Sequence, residues 1–200
     1  MKNLGTMDRL LRGIIAELCI LAAFFWAAEE WQIPLYLIAG VMLLQAATAT
    51  CGVYTLLGRN SCEIIKRQDK NLMTIFIVTA LVLAVAGSYA SAVMTKNIFL
   101  EDLGDVSEAY SLALQYSGEG DRENATEEFG KLESAFGNFQ QKYSKYRPLT
   151  IKFDGNYTAQ MINISEAISR SKDDIYQGNL SLGREELEKA EPTIQMMLKR

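Results

Sequence analysis

Cys51 and Cys62 bracket most of the stretch "TCGVYTLLGRNSC", with ten residues between them, and they are two of only three cysteines in the chain. A thiol pair can exchange disulfides, handle sulfur or ligate a metal. Arg59 lies between them and favours a thiolate, the reactive form. A metal site is not expected: the C-x10-C spacing is no zinc signature, a third and fourth ligand are missing, and the chain has no histidine. The plainer expectation is that both thiols pack at a helix end.

Glu17 is the other conspicuous group, a carboxylate inside an apolar run. Ionisable side chains in such runs mark ion or proton paths by default. A path needs more than one carboxylate, so the expectation is that Glu17 reaches water at the inner interface or pairs with Arg59.

The lack of histidine also excludes an imidazole base and His-ligated haem. No nucleophile–base arrangement is visible, so no catalytic residue, cofactor site or metal ligand is assigned. Met161, Met196 and Met197 could suit copper, but Met at helical spacing is core filling more often. The neighbouring carboxylates Glu127–Glu128, Asp173–Asp174 and Glu185–Glu186 suit a solvated acidic face. Four N-x-S/T sequons place glycan acceptors at Asn124, Asn156, Asn163 and Asn179.

The elements that must position these groups fall into two halves. Residues 1–97 carry eight Lys/Arg against six Asp/Glu, and residues 98–200 carry twelve against eighteen. The acidic half argues against a nucleic-acid partner, which would require clustered basic residues. The first half has three apolar runs, about 10–28, 33–57 and 72–95. Each is long enough to cross about 30 Å of hydrocarbon at about 1.5 Å per residue. "EEWQ" is the expected turn between the first two, with Pro34 opening the second span and Trp26 and Trp31 at the interface. No small-residue cleavage site marks the opening as a signal peptide.

Lys2, Arg9 and Arg12, with Arg59, Lys66, Arg67 and Lys70 in the loop after span two, put the N-terminus in the cytoplasm and residues 98–200 outside. All four sequons then lie outside, as in a glycosylated prokaryotic envelope, an archaeal one included. Ala86, Gly87, Ala90 and Ser91 give span three a small-residue face, for packing among the spans or for a homo-oligomer.

Apolar residues in the second half recur at helical spacing. One segment carries Phe99, Leu103, Val106, Tyr110 and Ala113. A second carries Ala125, Phe129, Leu132, Phe136, Phe139, Tyr143 and Tyr146. A third carries Tyr157, Met161, Ile164, Ile168 and Ile175, and a fourth Leu187, Ala190, Ile194 and Met197 with a kink at Pro192. Gly178 ends the third, and Asn179 or Ser181 caps the fourth. The expected fold is all-α: a three-span transmembrane anchor over residues 1–97, then an extracytoplasmic four-helix bundle over 98–200.

Residues 1–62 resemble the YgaP-like inner-membrane domain family, a two-span module. The resemblance is carried by Asn3, Gly5, Asp8, Arg9 and Arg12 at the start, and by Cys51, Tyr54, Leu57, Gly58 and Cys62 at the end. Gly52 replaces the family's usual proline and Ser61 its threonine. One branch of that family is fused to a rhodanese sulfurtransferase. No such domain is expected in this sequence, so the resemblance implies a membrane module and sulfur transfer is not carried over from it. Residues 98–200 resemble only loosely the cytochrome b562/c′ bundle, without its haem ligands.

These features predict a non-enzymatic multi-pass protein of the cell (inner) membrane. The bilayer is its first partner, and the bundle serves a protein partner in interaction, sensing or envelope structure. The alternatives are thiol or sulfur handling by Cys51 and Cys62 at the cytoplasmic face, and a small transporter.

Overall fold

The computed structural model of the chain describes residues 3–58 and 70–200, with side chains of the second stretch from Met73 onward. Every regular element among them is a helix, and they gather into two compact units, Met1–Met94 and Thr95–Arg200.

In the first unit, α1 (Thr6–Leu21) widens into a π turn over Ala22–Trp26, closed by Ala27 N–H on the Ala22 carbonyl at 2.9 Å. α2 (Glu29–Thr48) returns along α1. The expected "EEWQ" turn is therefore the first turn of α2, and Ala27–Ala28 make the connection. Two glutamates at a helix start suit the positive end of its dipole. Pro34 stands at the sixth helical position, not the first, where it removes one backbone hydrogen bond.

The run assigned to span two is not one helix. α2 stops at Thr48; Ala49 adopts φ +56°, and Cys51 is extended before the short α3 (Gly52–Leu56). α4 (Lys70–Glu119) contributes its first part to this unit and the remainder to the second. An added Cβ at Gly13 would stand 3.0 Å from the Phe76 ring, and one at Gly87 would stand 3.0 Å from Leu21 Cδ1. Trp26 Nε1 donates to Ser91 Oγ at 3.1 Å. Gly87 thus faces α1 and Ser91 the π turn, whereas Ala86 and Ala90 are exposed.

Among the described residues, Glu29–Thr48 and Met73–Glu119 are the helices long and apolar enough to cross a membrane. Val82, Val85 and Tyr89 of α4 are exposed, as lipid-facing side chains are. Arg59, Cys62, Lys66 and Arg67 lie outside the described residues.

In the second unit, α5 (Arg122–Lys145) begins at an Asp121 cap, whose carboxylate accepts the Asn124 N–H at 3.2 Å. The short α6 (Leu149–Lys152), absent from the sequence expectation, follows Pro148. α7 (Tyr157–Gln177) ends at Gly178, φ +91°, and Asn179 N–H closes back on the Asp174 carbonyl at 2.7 Å. Asn179 does occupy the next cap position, but its side chain donates to Asp174 Oδ1 at 3.3 Å.

The expected fourth helix is two pieces, α8 (Leu180–Glu188) and α9 (Glu191–Leu198). The break lies at Lys189–Ala190, and Pro192 sits in the first turn of α9, where a missing N–H costs little. The remainder of α4 joins α5 to α9 around one core, from Phe99 and Leu103 through Phe129 and Leu132 to Ile164, Leu187 and Met197. Met161 and Met197 are buried in that core and Met196 is exposed.

Gly183 marks the closest approach of α7 and α8. A Cβ there would meet Ile175 Cγ1 at 2.5 Å and the Ile175 backbone nitrogen at 3.3 Å. Helix propensity alone would reward Gly183→Ala by about 1 kcal/mol. Overpacking against buried Ile175 reverses the sign, so the expected result is a net loss of about 1–2 kcal/mol in denaturant unfolding of the full chain. A more stable variant would mean that the two helices separate freely.

Candidate functional site

The residues at the two ends of the first unit's sequence pattern converge around Cys51. At the turn after α2 the Ala49 carbonyl takes the Asn3 N–H at 3.0 Å and the Leu4 N–H at 3.2 Å. Beyond it, Cys51 N–H donates to Asn3 Oδ1 at 2.7 Å, and Asn3 Nδ2 donates to the Cys51 carbonyl at 2.9 Å and to Thr55 Oγ1 at 3.0 Å. One side-chain amide therefore serves both polar groups of one residue, as a neighbouring strand would.

Arg9 and Arg12 extend the contact. Arg9 Nε donates to the Ala46 carbonyl at 2.6 Å, in the last turn of α2, where carbonyls lack helical partners and the dipole favours a cation. Arg12 is aimed by Asp8, 3.1 Å away, and bonds Gln45 Oε1. Its guanidinium carbon also lies 5.6 Å from the centre of the Tyr54 ring. Asn3 and Leu4 thus hold the segment between α2 and α3, and Arg9 and Arg12 hold the last turns of α2 beside it.

This geometry restrains the thiol. Cys51 is 2% exposed and packs with Leu4, Ala49 and Tyr54. Its sulfur is shielded from solvent by that packing. Arg12 is committed to Asp8 and Gln45. Cys62 and Arg59 lie outside the described residues, so the pairing of the two thiols is not described. Cys19 lies half-buried on α1.

Glu17 is partly buried, and its Oε1 has no hydrogen-bond partner among the described residues. The four sequon asparagines are all exposed. Asn124 Nδ2 donates to Asp121 at 2.6 Å, and Asn163 Oδ1 accepts from Thr193 at 2.9 Å. Asn156 and Asn179 stand at helix starts. Glu127 and Glu128 meet on one cation, each 2.8 Å from Lys131 Nζ.

A second polar cluster escaped sequence reasoning. Asp102 of α4 accepts from Lys142 Nζ at 2.5 Å and from the Tyr143 hydroxyl, also at 2.5 Å, at the edge of a groove lined by Asp105, Lys131 and Asn138. Its one sequence signal is a carboxylate set between Phe99 and Leu103, on the flank of an apolar seam.

Burial, followed by the bond to Asp102, holds the Tyr143 phenol well above its usual value, so the folded state keeps a proton that an unfolded chain releases near pH 10. Stability is therefore complete below about pH 10 and falls as pH rises beyond it. Tyr143→Phe is expected to lose about 1 kcal/mol at pH 8 and to flatten the decline between pH 9 and 11, followed by thermal melting. An unchanged alkaline slope would remove Tyr143 as its source.

The first third of the chain matches a family model. Residues 1–64 match the family model described as inner membrane protein YgaP-like, transmembrane domain. No curated protein and no solved structure matches the chain. The matched region contains Asn3, Asp8, Arg9, Arg12 and Cys51, whose contacts are described above. Residues 1–64 are therefore similar to a transmembrane domain of the inner membrane, a likeness that suggests contact with the bilayer.

Proposed function

We propose that the chain is a three-span membrane anchor that presents an up-down-up-down helical bundle outside the cytoplasm, and that its work is interaction or sensing without catalysis. The observation that carries this reading is α4. Residues from Met73 form an exposed apolar run with mean hydropathy 2.1, and the same helix supplies Phe99, Leu103 and Val106 to a buried core. Basic residues at the start of the chain and after α3, and their scarcity just after Met94, support a cytoplasmic N-terminus. The burial of Cys51 favours this over sulfur handling.

Topology is tested with an impermeant maleimide on intact cells, using a background in which Cys19, Cys51 and Cys62 are alanine. Asp173→Cys, on an exposed helix position, is expected to react at once. Met7→Cys is expected to react only after permeabilisation. The reverse pattern would invert the arrangement. Growth on limiting sulfur should be the same with Cys51→Ala; a defect would favour the thiol reading.

A further inference from the structure

Three buried donor atoms at one end of the second unit have no partner among the described residues: Arg147 Nε, the Tyr157 hydroxyl and Arg200 Nη1. Folded proteins leave few such atoms unpaired. These three also lie close together. The Arg147 guanidinium carbon is 6.0 Å from the centre of the Tyr157 ring, and Arg147 and Arg200 both act electrostatically on the Tyr157 hydroxyl. Tyr157 is only 3% exposed. Burial pushes its phenol up to about 12, against the pull of the two arginines, so it remains an O–H donor. Arg200 is oriented by Asp154 and by Gln160 Oε1, 2.5 Å from Nη2, which leaves Nη1 over. Two cationic forks and a neutral hydroxyl form a donor set for a tetrahedral oxyanion.

The source of that oxyanion follows from the position of Tyr157. Its ring is 6.5 Å from Phe99, and Phe99 lies one turn, about 6 Å, along α4 from Thr95. The apolar run of α4 ends just before, at Met94. Phe153, next to Asp154, is 77% exposed, and Lys145 and Lys199 are exposed near the same end. Basic and aromatic side chains collected where an apolar helix ends fit a headgroup layer, although residues 98–200 are acidic as a whole.

We propose that Arg147, Tyr157 and Arg200 bind the headgroup phosphate of an anionic phospholipid, with Phe153 seated in the interfacial layer beside it. The lipid source rests on reading α4 as a span; the donor set does not.

The test is native mass spectrometry of the full chain released from nanodiscs of phosphatidylglycerol or phosphatidylcholine. The wild type is expected to keep one phosphatidylglycerol, with a preference of about tenfold over phosphatidylcholine. Arg147→Gln and Arg200→Gln should each abolish that preference. Tyr157→Phe keeps the ring in the core and should weaken retention several-fold with an unchanged melting temperature. Equal retention in Tyr157→Phe and Arg147→Gln would overturn the site. Displacement of the lipid by millimolar inorganic phosphate would overturn the lipid source. A chain that stays soluble without detergent and enters no disc refutes the span; one that enters discs and retains no phosphatidylglycerol refutes the site alone.

Discussion

Replacement of Asn3 by alanine is expected to cost the first unit about 2–4 kcal/mol, more than any change to the thiol beside it. The Asn3 side chain bonds the Cys51 N–H, the Cys51 carbonyl and Thr55 Oγ1, and both Asn3 and Cys51 are buried, at 8% and 2% exposure. Truncation leaves the Cys51 N–H without its acceptor in a place water does not readily reach. The Cys51 carbonyl keeps a bond from Thr55 Oγ1 at 3.0 Å, so the loss is concentrated on the donor. Asn3→Asp retains an acceptor for that N–H and loses both donations, so it should fall between wild type and alanine. Cys51→Ala removes one small apolar group and should cost no more than about 1.5 kcal/mol. The readout is hydrogen exchange of the Cys51 and Thr55 amides in the detergent-solubilised full chain, alongside its unfolding midpoint. If Asn3→Ala leaves protection intact, the clasp carries no stability. If Cys51→Ala proves the more damaging change, the thiol has a role that its packing does not explain.

The same clasp shows where sequence reasoning succeeded and where it stopped. Ala125, Phe129, Leu132, Phe136, Phe139 and Tyr143 were legible as one seam because a helix with a single buried face repeats every three or four residues, and all six are buried. Nothing local distinguishes Ala49. It stands in "QAATATCG" between two threonines, with no glycine or proline beside it, and hydropathy carries the span through it. The break there is set by Asn3 and Leu4, more than forty positions away, whose N–H groups require the Ala49 carbonyl. Arg9 and Arg12 were legible as charges that fix orientation; their engagement of Ala46 and Gln45 needed the hairpin to be closed first. Arg147, Tyr157 and Arg200 were invisible for the same reason, since a site drawn from a loop, a helix start and a distant residue leaves no periodic trace.

The largest loss is expected from Phe99→Ala, at about 3–5 kcal/mol, which is a substantial share of the roughly 5–15 kcal/mol by which domains are stable. Phe99 is 0% exposed, and its ring meets Phe139 at 5.5 Å, Tyr143 at 5.0 Å and Tyr157 at 6.5 Å. The Tyr143 ring stands nearly perpendicular to it, an arrangement that adds to simple area burial. The three partners come from α5 and α7, so one truncation opens a cavity shared by α4 and both helices, and none can fill it without leaving another contact. Phe153→Ala is the control: at 77% exposure it should stay within about 0.5 kcal/mol of wild type in detergent. Denaturant unfolding of both variants, read by tyrosine fluorescence, decides the matter. Equal midpoints would show that the aromatic cluster does not carry the second unit. A large loss for Phe99→Ala, with loss of amide protection in α5 and α7, fits a core in which the helix leaving the apolar run is a structural member and not a tether.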